Sequence, residues 1–295
     1  MSLQGVTIAV VGGDEREQEI VRLAASEGAQ VRAHGFPWPD EGIPGVTHAS
    51  AATAAMEGAQ YVLFPVPSLG ADGSLFAPAS PNLIVPDEQL LGVLAPEAHV
   101  ILGTADERLS ATATRMGIGL HEYERDRELM LLRAPAIVEG AIGLAIEHTD
   151  VTIHAAHVAV VGHGMIGSLL ARGLHALGAR VHVAARNPAQ RAEARVAGAF
   201  ALPTHELPGL APDLAMIFST VPASVVGREV LERLRRGSLV VDLAAPPGGI
   251  DLEIARALGH RAVWARGLGR RAPITVGASQ WLGIKLRIEA IEGAR

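Results

Sequence analysis

Three glycines in one short stretch are spaced to hold an anion. His157-Val158-Ala159-Val160-Val161 is a valine-rich apolar run that leads straight into Gly162-His163-Gly164-Met165-Ile166-Gly167. Leu169, Leu170, Leu174 and Leu177 then recur at helical spacing. Strand, Gly-x-Gly-x-x-Gly turn and helix in that order form the fingerprint of a dinucleotide site. Gly162 permits a tight turn, Gly164 lets the backbone approach a pyrophosphate, and Gly167 lets helix and strand pack closely. The phosphates of the dinucleotide rest over the unpaired N–H groups and the positive dipole end of the helix. A second apolar strand at 180–184 closes the βαβ unit.

The residues after that second strand bear on which dinucleotide is taken. An NAD site usually places an acidic residue there, about 20 residues past the glycines, to hold the ribose hydroxyls. Here the strand ends Ala184-Ala185-Arg186-Asn187-Pro188, with Arg191 one turn further on. A guanidinium in place of a carboxylate suits a 2′-phosphate, which its planar fork pairs bidentately. NADP is therefore expected in preference to NAD; if Arg186 only stacks on adenine, either cofactor is accepted. Thr220, Val221 and Pro222 close the fourth strand of this half, and Asp242 and Ala244 close the fifth. Carboxyl ends of strands line the crevice where such a sheet binds its cofactor. These residues, with the six of the glycine turn and Arg186, Asn187 and Arg191, are the expected cofactor contacts.

The elements that must position this site follow from periodicity. Alternating strands and helices predict an α/β protein with two domains, each an open, parallel, doubly wound sheet, the second a Rossmann domain. The expected division is 1–135 for a substrate-side domain, 136–150 for a bridging helix, 151–275 for the nucleotide domain and 276–295 for a C-terminal helix that packs back on the first domain. Strands are predicted at 6–11, 30–33, 61–66, 99–102 and 128–132 in the first half, with a helix at 19–25. In the second half they are predicted at 157–161, 180–184, 199–202, 214–219, 238–243 and 262–265. The first strand ends Gly12-Gly13-Asp14, which lacks a third glycine, and its aspartate would repel a pyrophosphate. Residues 65–96 are rich in proline and glycine and read as a long functional or mobile loop. The run His121–Arg127 is densely charged and reads as a turn. Glu139 lies near the expected start of the helix at 136–149, where the dipole favours a carboxylate.

Composition narrows the function classes. The 295 residues are 49% hydrophobic and 19% charged, as in a globular protein long enough for two domains. A net charge of −6 with no basic patch gives nucleic-acid binding no support. No uninterrupted apolar run approaches the ~18 residues of a membrane span, and the N-terminus lacks the basic start of a signal peptide. The absence of cysteine excludes disulfides, thiolate catalysis and cysteine-based zinc sites, and fits a cytoplasmic enzyme. No metal site is expected. Lys285 is the only lysine, so a mechanism that needs a lysine base or Schiff base has one residue to use, in an unfavourable C-terminal segment.

A family resemblance becomes specific at Glu139-Gly140-Ala141-Ile142-x-x-Ala145-Ile146-Glu147-His148-Thr149-Asp150-x-Thr152-Ile153-His154, which runs into the glycine turn. Together with Gly12-Gly13-Asp14-x-Arg16, Glu124-Arg125-Asp126, Asp242-Leu243-Ala244, Pro247-Gly248-Gly249 and Ala272-Pro273-x-Thr275-x-Gly277, this resembles the A-subunit family of dipicolinate synthase over nearly the whole chain. Two departures stand out: Ala136-Ile137-Val138 precede Glu139 where the family has Thr-x, and Ile274 replaces the family's lysine. The resemblance implies oxidation of dihydrodipicolinate to dipicolinate with a nicotinamide cofactor. It also implies the flavoprotein-like B-subunit of dipicolinate synthase as partner, and a setting in the mother cell of a sporulating bacterium. A homo-oligomer is expected. For a dicarboxylate substrate the candidate contacts are Arg16, Ser68, Thr104 and Arg125. Glu139, His121 and His148 are the candidate proton acceptors.

Rival enzymes of similar plan are disfavoured by absences. Alanine, shikimate and adenosylhomocysteine enzymes rely on a lysine, and hydroxyacid dehydrogenases of the formate and glycerate type place a histidine late in the chain, whereas none follows His260. A non-catalytic NADP-binding partner that anchors the B-subunit is the alternative from another class.

Overall fold

The computed structural model describes residues 2–66 and 69–294. The chain divides into two compact units, one of residues 1–133 with 272–295 and the other of residues 134–271. In the first, β1 (Thr7–Val11), α1 (Glu15–Ser26), β2 (Gln30–His34), β3 (Val46–His48), α2 (Ala52–Met56) and β4 (Tyr61–Leu63) come in that order. They are followed by α3 (Glu88–Leu91), β5 (His99–Leu102), α4 (Glu107–Met116), β6 (Gly119–Glu122) and the start of α5 (Arg127–Glu147). The strands form one sheet in the order β3-β2-β1-β4-β5-β6, and every pairing is parallel.

The second unit repeats the plan. It holds β7 (His157–Val161), α6 (Met165–Ala176), β8 (Arg180–Ala184), α7 (Pro188–Val196), β9 (Phe200–Leu202) and α8 (Leu207–Leu210). Then come β10 (Met216–Ser219), α9 (Arg228–Arg233), β11 (Leu239–Asp242), α10 (Leu252–Ala257) and β12 (Arg261–Trp264). Its sheet runs β12-β11-β10-β7-β8-β9, again all parallel. In each unit the first strand lies at the centre, where the strand order reverses, and the crevice beyond its carboxyl end is the expected ligand site. β1 and β7 are apolar along their length because helices cover both faces, so there is no polar side to alternate with. Val158, Val160, Leu170, Leu174, Val181 and Val183 fill one core of the second unit, and Ile8, Val10, Ile20, Val21 and Val31 fill one of the first. The last helix, α11 (Pro273–Gly293), belongs to the first unit and packs along α1. Gly277 makes this possible, since a Cβ there would stand 2.5 Å from the Arg16 carbonyl oxygen.

The structure corrects several sequence expectations. The predicted strand at 128–132 is the first turn and a half of α5, which begins at Arg127 and continues through Pro135. Proline normally ends or kinks a helix because it removes one hydrogen bond and crowds the preceding turn, which is why the sequence places the start at 136. Glu139 is consequently in the middle of the helix, not near its dipole end. The strand expected at 61–66 stops at Leu63, and α3 forms inside the stretch read as loop. β3 and β6 are short edge strands that periodicity does not predict. β6 includes His121 and Glu122, so the charged turn is confined to the residues after it.

Among the described residues α5 is the one helix with the length and apolarity of a membrane span, at a mean hydropathy of 1.8. Ala134, Ala136, Val138, Ala141 and Ala145 along it are nevertheless buried in protein.

Candidate functional site

The glycine turn has the geometry of an anion cradle. β7 ends at Val161, and Gly162 takes φ +94°, a left-handed conformation natural to glycine. A Cβ at Gly162 would lie 2.6 Å from Thr220 Oγ1 and 2.7 Å from Val221 Cγ2. Those two residues therefore wall the turn from the end of β10, and Thr220 is fixed by donating to the Val161 carbonyl at 3.1 Å. A Cβ at Gly167 would stand 2.3 Å from the Gly162 carbonyl oxygen, so helix and strand touch there. Gly164, the N-cap of α6, has no side-chain cap and nothing within 4 Å of its Cβ position. The first N–H groups of a helix have no partner within it. An uncapped helix start beneath an open, exposed glycine is the donor set that a pyrophosphate needs.

The equivalent turn of the first unit is already filled. The N–H groups of Gly12, Gly13 and Asp14 donate to the His34 carbonyl (2.8 Å), the Phe76 carbonyl (2.6 Å) and Glu17 Oε2 (2.7 Å). Asp14 and Glu17 make a capping box at the start of α1. A pyrophosphate would meet two carboxyl groups there in place of free donors.

What the first unit offers instead is a cavity of about 300 Å³ at the carboxyl edge of its sheet, lined by Val66, Leu69, Gly103, Thr104, Asp106 and Glu124. It is at the lower end of the range for small-molecule sites. Beside it stand Tyr123, buried, and a set of paired charges. Arg16 grips Asp14 through Nε (2.7 Å) and Nη2 (2.9 Å) and also donates to the Val66 carbonyl. Arg133 grips Glu124 through both terminal nitrogens. Burial pushes the Tyr123 phenol up, so it stays a neutral donor. Burial also pushes the Glu17 carboxyl up to about 8; the charge of Arg16 pulls it down and that of Asp14 pushes it further up.

Comparison with known proteins decides the family. Residues 7–124 match the family described as the N-terminal domain of the dipicolinate synthase A-subunit, and residues 144–261 match the shikimate / quinate 5-dehydrogenase family. Over 279 residues the chain is 33% identical to the A-subunit of dipicolinate synthase of Bacillus subtilis (strain 168), covering 93% of each. The chain belongs to the dipicolinate synthase A-subunit family. The crystal structure of the family's protein from Bacillus halodurans superposes with a TM-score of 0.88 at 30% identity, over 97% of this chain and 99% of that one. A transhydrogenase from Sinorhizobium meliloti shares the fold, with a TM-score of 0.72 at 18% identity over 97% and 94%. The Rossmann architecture of the second unit and these dehydrogenase likenesses identify a nicotinamide dinucleotide fold.

In this member of the dipicolinate synthase family, several residues singled out by sequence stand elsewhere than expected. His148 is at the wrong edge: its carbonyl accepts from Arg261, which opens β12, so it marks the amino-terminal end of a sheet whose cradle lies at the carboxyl end. His121, the third residue of β6 and opposite Ile101 in the sheet, turns its Nε2 back to His99 Nδ1 at 3.0 Å, where β5 opens. Burial lowers the His121 pKa. Arg16 is an internal strut, 7% exposed, with its guanidinium committed. Asp242 is 1% exposed and consumed by the loop after β11, accepting from the N–H groups of Ala244 (3.0 Å), Gly249 (2.7 Å) and Ile250 (3.0 Å). Ala244, buried, accepts from Trp264 Nε1 at 3.1 Å. Arg191 reaches back to the carbonyls of Ala185 (2.8 Å) and Arg186 (2.6 Å), and Asn187 caps α7. Asp242, Ala244, Arg191 and Asn187 thus shape the carboxyl edge of the second sheet through groups already engaged in the fold.

The others keep a position from which they can act. Arg186 is exposed just beyond β8, and Pro222 is exposed beyond β10. Met165 and Ile166 form the first turn of α6. His163 is buried beneath the turn with its Nδ1 unpartnered, and burial lowers its pKa. Thr104 lines the cavity of the first unit. Arg125 is exposed in the turn before α5, and Ser68 lies outside the described residues. Glu139 is exposed and paired with Arg271 at 2.8 Å, against the segment that follows β12. Sequence reasoning missed Tyr123 and the Glu124–Arg133 pair. Nine positions separate the two charges, a spacing that no helix or strand brings together, so nothing local signals the pair.

Proposed function

We propose that the protein oxidises dihydrodipicolinate to dipicolinate, with hydride transfer to NADP. The reaction would run in the cytoplasm of the mother cell of a sporulating bacterium, together with a dipicolinate synthase B-subunit. The observation that carries this reading is the 33% identity to a dipicolinate synthase A-subunit over 93% of both chains. An open glycine cradle in the second unit supports it.

The reaction removes one hydride and one proton from the dihydropyridine ring, and aromatisation drives it, so the protein's task is to bind, orient and accept the proton. A bound dinucleotide supplies the hydride-accepting carbon. Gly164 and the first N–H groups of α6 would hold its pyrophosphate, above the turn that Gly162 makes. Thr220 and Val221 would wall the cradle. Arg186, exposed and with no carboxylate at the end of β8 to compete, would hold a 2′-phosphate. Thr104 and the cavity it lines would receive the substrate. Glu139 is the proton acceptor best suited to the second unit, as an exposed carboxylate held in place by Arg271.

The test is NADP reduction followed by absorbance. The purified chain receives freshly generated dihydrodipicolinate, with and without the B-subunit, and NAD in parallel. Reduction that tracks dipicolinate formation is expected. Arg186→Asp should lower the preference for NADP about tenfold or more, the value of one charge-assisted phosphate contact. Tight NADP binding with no reduction, even with the B-subunit present, would replace this reading by that of a cofactor-binding partner.

A further inference from the structure

The cavity of the first unit presents a contradiction for a protein that takes a dicarboxylate. Among the described residues that line it are two acids, Asp106 and Glu124, and no arginine, lysine or histidine. Asp106 is committed, since it caps α4 by accepting from the Leu109 N–H at 2.7 Å. Glu124 is the carboxylate that an incoming anion would meet, and Arg133 stands directly behind it. The pair is bidentate, with side-chain exposures of 29% for Glu124 and 16% for Arg133. Arg125 is exposed in the turn just after Glu124, and two further guanidiniums on this side are occupied by groups that, apart from Val66, are not part of the cavity wall. Arg16 holds Asp14 and the Val66 carbonyl. Arg287 holds the Glu122 and Gly283 carbonyls and Asp126.

We infer that Arg133 is the substrate-carboxylate clamp of this protein, and that Glu124 is a displaceable placeholder for the substrate carboxylate. The inference rests on the reading of the protein as a dipicolinate synthase. Exchanging one carboxylate for another conserves charge and fork geometry. The anchor of Glu124 is its backbone, which donates to the Gly103 carbonyl at 3.0 Å. Its side chain can turn into solvent while the main chain stays in place. The substrate is thus selected as an anion able to match a carboxylate already present, and neutral analogues leave the pair closed.

A purely structural ion pair and a placeholder differ in sign. Removing either partner of a structural pair weakens the site. Removing a placeholder strengthens binding of what it competes with. Dipicolinate itself, the stable product, is titrated calorimetrically into the wild type and into Glu124→Gln, Glu124→Ala, Arg133→Lys and Arg133→Ala. Thermal melting and NADP binding report that each variant is folded. The Glu124 variants should bind dipicolinate about tenfold more tightly and the Arg133→Ala variant about tenfold or more weakly, as for one charge-assisted contact. Arg133→Lys should fall between, because an ammonium cannot fork. Weaker or unchanged binding in the folded Glu124 variants overturns the inference, and so does wild-type affinity in Arg133→Ala. If the wild type neither binds dipicolinate nor reduces NADP, the functional reading itself fails and takes the inference with it.

Discussion

Glu17 and Asp242 are both buried carboxyls beside the end of a strand, and their surroundings give them different work. Asp242 accepts three backbone N–H groups and fixes a loop. Glu17 accepts one, from Asp14, and burial is the largest influence on it, raising its pKa from 4.5 to about 8. The folded chain therefore holds this proton more tightly than the unfolded chain does. The resulting stabilisation is complete below pH 4.5 and is lost as pH rises towards about 8. Glu17→Gln keeps an acceptor for the Asp14 N–H and cannot ionise, so its melting temperature should depend less on pH across that window. Parallel melting curves for the two proteins between about pH 5 and pH 8 would rule this out. Arg16 shows the same rule from the basic side. Its place after a strand suggests an anion site, but Asp14, two residues earlier, already supplies the anion.

Among the secondary-structure elements, the second unit depends on close contact between β7 and α6. Gly167 is the contact point, because a Cβ there would lie 2.3 Å from backbone oxygen that cannot turn aside. Gly167→Ala must push α6 off the strand and misplace the donors above it. A loss of about 2 kcal/mol in stability is expected, typical of overpacking a well-packed contact, together with a sharp loss of NADP affinity. Chemical denaturation and cofactor titration would check both, and wild-type values in each would show that the helix can shift without cost. α5 carries a different lesson. Its apolar residues are not confined to one stripe, and a proline lies inside it, so periodicity finds only its second half. Tertiary packing along its length overrides the break that Pro135 signals.

The full chain contains the same strand order twice, yet the two carboxyl edges are chemically unlike. One turn leaves Gly164 and the start of α6 uncapped, whereas in the other Phe76 and Glu17 already accept from Gly13 and Asp14. NADP should therefore slow hydrogen exchange at the amides of the Gly162–Gly167 turn and of α6, and leave those of Gly12 to Asp14 unchanged. At a hundredfold excess over its dissociation constant it should add roughly 2.7 kcal/mol to the stability of the cofactor-binding unit. Equal protection at both turns would contradict the assignment of a single dinucleotide site. The alternating α/β plan, the central strands β1 and β7, the glycine cradle and the family are all legible in the amino-acid order. Each of those signals is local in the chain: a short apolar run, three glycines at fixed spacing, a motif with its neighbours. Which charges are spent and which are available is settled only once the chain has folded. Arg16 and Asp242 look free in the sequence and are internal partners in the fold, His121 is turned toward His99, and the carbonyl of His148 accepts from Arg261 at the opening of β12. A charge's availability depends on burial and on partners brought from distant positions, as Glu124 and Arg133 are, and neither is written in local spacing.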